Sequence, residues 1–170
     1  MFKHTLIFSP GNWYGEGRIL LNMVEEELIF NTRWAFQIPD FSGQIVGTQD
    51  IQIQGLSESM RNELTFSNLQ SKTFSVTMEN QNIGRITGTG ICDETMIGWE
   101  FRNPELNFEG FETYTLQPDG SYLMKGEYVT SDQFRTQIEA RIWVKPESAP
   151  PTPDFLKENE SGPENEEEEP

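Results

Sequence analysis

The constraint that most limits this chain is a two-residue alternation of apolar and polar side chains that runs through nearly all of residues 12–144. Successive side chains of an extended strand point to opposite faces, so such a pattern builds a sheet with one buried face. Trp13, Gly15, Gly17, Ile19 and Leu21 share one face of a first strand, against Tyr14, Glu16, Arg18 and Leu20. Leu28, Phe30, Thr32, Trp34, Phe36 and Ile38 do the same on a second, and Ile45, Gln49, Ile51 and Ile53 on a third. Further strands are expected near 62–68, 72–79, 83–92, 96–102, 108–116, 122–130 and 134–144. Turn residues stand between them, among them Pro39-Asp40, Gln81-Asn82, Asp93-Glu94, Pro118-Asp119-Gly120 and Ser131-Asp132.

No stretch of a dozen residues carries a helical period, and no long crossover separates the strands. About ten strands joined by short loops predict an all-β domain over 1–145, a single up-and-down antiparallel barrel in which the first strand pairs with the last. A two-sheet sandwich produces the same alternation and is the competing architecture. Ten strands leave a wider bore than eight, which already suffice to hold one small ligand.

Charge divides the chain in two. The net charge of the 170 residues is −16. Residues 146–170 hold nine acids against Lys157 alone, so they carry −8 and the body carries the rest. Six of the ten prolines fall in the same stretch, which predicts a disordered acidic tail, with Phe155-Leu156 as its single apolar pair. The expected roles of this tail are to solubilise the protein or to dock a basic protein partner. A chain this acidic does not attract phosphate backbones or anionic lipid, so no nucleic-acid or membrane partner is expected. One cysteine, Cys92, excludes an internal disulfide. No segment approaches the ~20 apolar residues of a membrane span, and the apolar run of Met1–Phe8 is too short for a signal peptide. The expected location is the cytoplasm.

Chemistry-bearing residues are few. His4 is the only histidine, and it precedes the first strand, where a surface position is expected. No nucleophilic triad and no metal set can be assembled around it, so no cofactor is assigned. Cys92 reads as a small buried residue. Gly84–Gly90 is glycine-rich, but no helix follows to cradle a phosphate, and it reads as a curved strand. Two acids share a face with apolar residues: Glu112 with Phe108, Tyr114 and Leu116, and Glu100 with Met96 and Gly98. An inward carboxyl in an apolar bore has a raised pKa and can act as an acid or meet a ligand cation. It can also pair with an inward Arg such as Arg85. The aromatic stripes supply the expected lining. The candidate ligand-binding set is Phe30, Trp34, Phe36, Trp99, Glu112, Tyr114, Tyr122 and Tyr128, with a packed core as the alternative reading of the same rings.

Gly11-Asn12-Trp13 at the head of the first strand resembles the Gly-x-Trp signature of the calycin superfamily, the lipocalins and fatty-acid-binding proteins. That resemblance implies a ligand-holding barrel in which Trp13 closes one end and packs on an Arg of the last strand, Arg141 or Arg135. The lipocalin Thr-Asp-Tyr signature is absent, and the space between Asn22 and Leu28 is too short for a helical lid. Ser9, Gly11, Trp13 and Arg18 also resemble the opening Ser-x-Gly-x-Trp and nearby Arg of the S-type bilin lyases, another calycin branch.

Three functions are therefore expected in this order. The first is a carrier or sensor of a small apolar or planar ligand. The second is an adaptor with a filled barrel and a docking tail. The third is a cavity enzyme of the bilin-lyase kind, with Glu100 or Glu112 as the working carboxylate.

Overall fold

The computed structural model describes residues 4–144. The expected domain boundary at 145/146 and the whole acidic tail lie outside the described residues.

Ten strands follow one another in chain order: β1 (Gly11–Leu21), β2 (Leu28–Phe36), β3 (Ile45–Ile53), β4 (Ser59–Ser67), β5 (Thr73–Asn80), β6 (Gly84–Cys92), β7 (Met96–Asn103), β8 (Phe108–Leu116), β9 (Tyr122–Val129) and β10 (Arg135–Val144). No helix occurs among the described residues. Each strand pairs antiparallel with its chain neighbour, and β1 pairs with β10 from Trp13↔Val144 to Leu21↔Thr136, so the sheet is a closed barrel. The sandwich is thereby excluded.

Alternation sorts the side chains as the pattern demands. Inward positions hold the core, from Trp13, Trp34 and Phe36 through Leu64, Phe66, Val76, Ile97 and Phe101 to Tyr114, Met124 and Ile142. Every Lys and Arg among the described residues is exposed. Strand β2 ends at Phe36, and Ile38, expected to continue its inward face, is exposed. Pro39 follows it and has no N–H to give a ladder.

Glycines let large inward rings lie flat on the wall. A Cβ at Gly90 would stand 2.1 Å from ring atoms of Phe74, and one at Gly110 2.0 Å from Cδ1 of Tyr128. Both positions must lack a side chain for those rings to stay where they are.

The two ends of the barrel differ. At the end where β1 begins, residues 4–9 cross the opening, with Leu6 and Ile7 fully buried. Ile7 takes a φ of 71°, a costly conformation for a β-branched residue, held there by its burial. His4 is buried as well, which corrects the expectation of a surface residue. Its Nε2 faces the carbonyl oxygen of Asp93 at 2.8 Å, which requires a proton on Nε2 and leaves Nδ1 to accept from the Tyr122 hydroxyl at 2.9 Å. The same hydroxyl accepts the backbone N–H of Thr5 at 3.3 Å. Trp13 sets its ring edge-on to Tyr122, 5.6 Å between centroids. The plug is thus tied to β1, to β9 and to the β6–β7 turn.

Neither proposed arginine reaches Trp13. Arg141 and Arg135 fall on the outward parity of β10, and both are exposed. Arg141 pairs with Asp119, and Arg135 Nε lies 3.1 Å from Glu127.

Truncating the plug should cost stability in proportion to the buried volume removed. Leu6→Ala is expected to lower the unfolding free energy by about 2–5 kcal/mol, measured from urea midpoints at unchanged m-value. A loss below about 0.5 kcal/mol would show that the segment does not seal the barrel.

Candidate functional site

The bore is built in two zones. Toward the plug it is filled by rings. Trp34 stacks on Phe36 at 5.3 Å, and Trp99 stacks on Tyr114 at 4.9 Å. These pairs meet edge to face, Trp34 against Trp99 at 6.3 Å and against Tyr114 at 6.5 Å. Phe66 closes the cluster, 5.5 Å from Trp99 and 6.1 Å from Phe74. Such edge-to-face and offset contacts are the favoured aromatic geometries.

Polar groups enter toward the other end. Glu112 stands on β8 directly opposite Trp99 of β7 and Gly126 of β9. Its carboxylate accepts the Tyr114 hydroxyl at 2.7 Å and the Tyr128 hydroxyl at 2.5 Å. Tyr114 reaches it because residues two apart on a strand share a face, and Tyr128 because it lies across the glycine at position 110. Phe108 stacks on Tyr128 at 5.4 Å and screens it. Burial pushes the Glu112 carboxyl above its usual range, against the pull of the two phenol bonds, which favour the charged form. Burial first, and the neighbouring carboxylate second, push both tyrosines upward.

A chain of amides crosses the opposite wall. Asn80 Nδ2 donates to Asn62 Oδ1 at 2.6 Å, and Asn62 Nδ2 donates to Gln49 Oε1 at 3.0 Å. Asn80 Oδ1 accepts the backbone N–H of Asn82 at 2.7 Å. Three buried polar atoms have no protein partner among the described residues: Thr32 Oγ1, Trp34 Nε1 and Trp99 Nε1. All three belong to inward positions of β2 and β7.

At the end away from the plug, the inward residues Ile51, Ile53, Met60 and Asn80 line a cavity of about 320 Å³, with Leu56 and Gln81 at its edge. Met23, Val24, Leu56 and Leu106 are exposed in the loops around this mouth. Those loops (22–27, 54–58, 81–83, 104–107 and 130–134) contain Glu25, Glu26, Glu27, Glu58, Glu105 and Asp132 and no Lys or Arg. A larger depression of about 430 Å³ between Arg61, Glu63, Glu79 and Arg85 lies on the outer wall among exposed ion pairs. Asn80 is the buried polar residue in its lining, and its amide is already hydrogen-bonded to Asn62 and Asn82.

All eight expected lining residues face the bore, but they do not form one group. Trp34, Phe36, Trp99, Tyr114, Glu112 and Tyr128 are joined by ring contacts and hydrogen bonds. Phe30 sits nearer the open end, opposite Ile53. Tyr122 belongs to the plug, where its hydroxyl is occupied by His4 and Thr5. Glu100 is corrected: the inward set of β7 is Ile97, Trp99 and Phe101, so Glu100 points outward, 3.6 Å from Arg102. Arg85 is likewise outward, 3.5 Å from Glu79. Cys92 is buried as expected, and burial lifts its thiol to about 11, which leaves it unreactive at neutral pH. Thr32, Asn62 and Asn80 were missing from the expected site. Polar residues on an otherwise apolar inward face are the signal that marks them.

No family model matches the chain, and no curated protein matches it in sequence. Among solved structures it is similar to the S-type phycobiliprotein lyase CPES from Guillardia theta, with a TM-score of 0.62 and 8% identity over 82% of this chain and 90% of that one. The likeness is one of fold, a closed antiparallel barrel. No helix of the described residues is long and apolar enough to cross a membrane.

A carboxyl whose pKa rises on folding stabilises the fold fully below its unfolded value, and that contribution is lost as pH rises through the folded value. Wild type should therefore lose stability, relative to Glu112→Gln, as pH climbs from about 4.5 upward. Paired urea titrations between pH 4 and 8 measure this; parallel curves would mean that Glu112 is not desolvated.

Proposed function

We propose that this barrel binds a small apolar or planar molecule inside its bore, admitted through the end that no described residue plugs. The observation that carries the reading is the asymmetry of the ends. Leu6, Ile7 and Trp13 seal one, while the other ends in inward Ile51, Ile53 and Met60 around a cavity, with exposed apolar side chains on the loops. Exposed apolar surface costs solubility and marks interaction sites when it clusters at one place. Aromatic walls with a few placed polar groups are the usual make-up of small-molecule sites. The fold shared with a phycobiliprotein lyase supports a planar guest in particular.

Protein purified from its own source should carry a bound species in native mass spectrometry, above the 19.6 kDa of the chain, with absorbance outside the protein band. Bare protein that also takes up no planar aromatic probe would refute the reading.

A second reading, a cavity enzyme, is favoured by the buried Glu112 held between two phenols, an arrangement suited to giving or taking a proton. Its test re-offers the co-purifying molecule to emptied protein. An enzyme changes the bound spectrum with time, and Glu112→Gln binds the molecule but leaves that spectrum fixed. A carrier gives the same fixed spectrum in both forms.

A further inference from the structure

We infer that the rim of the open end is a docking surface for a basic amphipathic segment of a partner protein. The segment lays its apolar face on Met23, Val24, Leu56 and Met60 and its Lys and Arg side chains over Glu25, Glu26 and Glu58. Such docking goes beyond the binding of a guest in the bore and does not depend on one.

Apolar side chains gather on one side of this rim. Strand β2 pairs with both β1 and β3, so the loops 22–27 and 54–58 are neighbours. The backbone N–H of Gln54 donates to the carbonyl oxygen of Ile29 at 2.8 Å and fixes the base of the second loop against β2. Met23 is 72% exposed and Leu56 57%. Val24, next to Met23, and Met60, at the start of β4, are exposed as well. Leu56 and Met60 also line the cavity of about 320 Å³, where Ile51 and Ile53 continue the apolar surface inward. Large side chains left in water around a cavity mark a surface that a partner covers.

Charge decides which partner fits. The five loops of this end hold six acids and no Lys or Arg. The arginines on the strands nearby are already paired: Arg18 with Glu27 and Glu139, Arg61 with Asp50, Arg85 with Glu79, and Arg135 with Glu127. Glu25, Glu26, Glu58, Glu105 and Asp132 have no ion pair among the described residues. A second copy of the chain would set these acids against their own kind, and anionic lipid would be repelled. The chain's own apolar pair, Phe155-Leu156, lies between Asp154 and Glu158 in a stretch that carries −8. A cationic segment alone gains from the rim's charge, and apolar side chains of its own are needed to cover Met23 and Leu56.

Three labelled synthetic peptides separate these terms: an amphipathic helix of Leu and Lys, its Leu/Glu counterpart, and its Ser/Lys counterpart. Fluorescence anisotropy on the full chain reads their affinities. The Leu/Lys peptide should bind about tenfold or more tightly than either of the others, the scale of covering one large apolar side chain. A chain carrying Met23→Ser and Leu56→Ser, checked for folding by circular dichroism, should bind it about tenfold more weakly. A chain carrying Ile38→Ser and Phe41→Ser, exposed positions at the plugged end, should bind it as wild type does. Glu25→Gln, Glu26→Gln and Glu58→Gln together should weaken binding and flatten its dependence on salt. The peptide series on wild type stands even where a variant fails to fold. Unchanged affinity in the Met23/Leu56 variant, or a Ser/Lys peptide that binds as well as the Leu/Lys one, would overturn the inference, because charge alone would then hold the peptide. So would a concentration-dependent dimer, or binding to phosphatidylserine vesicles, that the Met23/Leu56 variant abolishes, and so would tighter peptide binding in Phe155→Ser. Each of these names another occupant of the rim.

Discussion

The hydrogen-bonded ladder between β1 and β10 is the contact on which the rest of the molecule depends. It joins residues more than a hundred positions apart in the chain, Trp13 to Val144 and Leu21 to Thr136. Without it the sheet would have two open edges with unpaired N–H and C=O groups, ready to pair with other chains. With it every strand has two neighbours, and the alternation of side chains becomes a strict division between inside and outside. The exposed ion pairs, such as Arg18 with Glu139 across the β1–β10 seam and with Glu27 of the following loop, follow from that division and add little by themselves.

Closure also creates the problem the interior must solve. A ten-stranded bore is wider than aliphatic side chains fill easily, and this chain fills part of it with rings laid flat over glycines. Trp34, Phe36, Phe66 and Trp99 pack against one another in that part. The other half keeps Glu112, Gln49, Asn62 and Asn80, buried polar residues that are costly unless paired. Their partners come mostly from one another: phenols for the carboxylate, amides for amides. The exceptions, two indoles and a hydroxyl on inward positions of β2 and β7, have no protein partner among the described residues.

Much of this was legible in the residues, because strand periodicity reports facing directly. Glu112 and Tyr114 share a parity with Phe108 and Leu116, and all four turn inward. Glu100 went the other way. Met96 and Gly98 suggested an inward face for it, but Trp99 and Phe101 hold that face, and the bulkier rings decide the register. His4 and Arg141 were misplaced for a different reason. Both depend on partners far along the chain, Tyr122 and Asp93 for the histidine and Asp119 for the arginine, which no local pattern encodes.

The amino-acid order alone determined that the chain is all-β, that its strands number about ten, that they connect in sequence, and which aromatic residues share a face. These are local properties, set by a period of two and by turn residues. The tertiary structure decided which end is sealed, which carboxyl is buried, and which polar atoms are left without a partner. Those outcomes depend on cross-strand register and on which strands meet at closure, and register is a relation between distant segments that neither segment carries by itself.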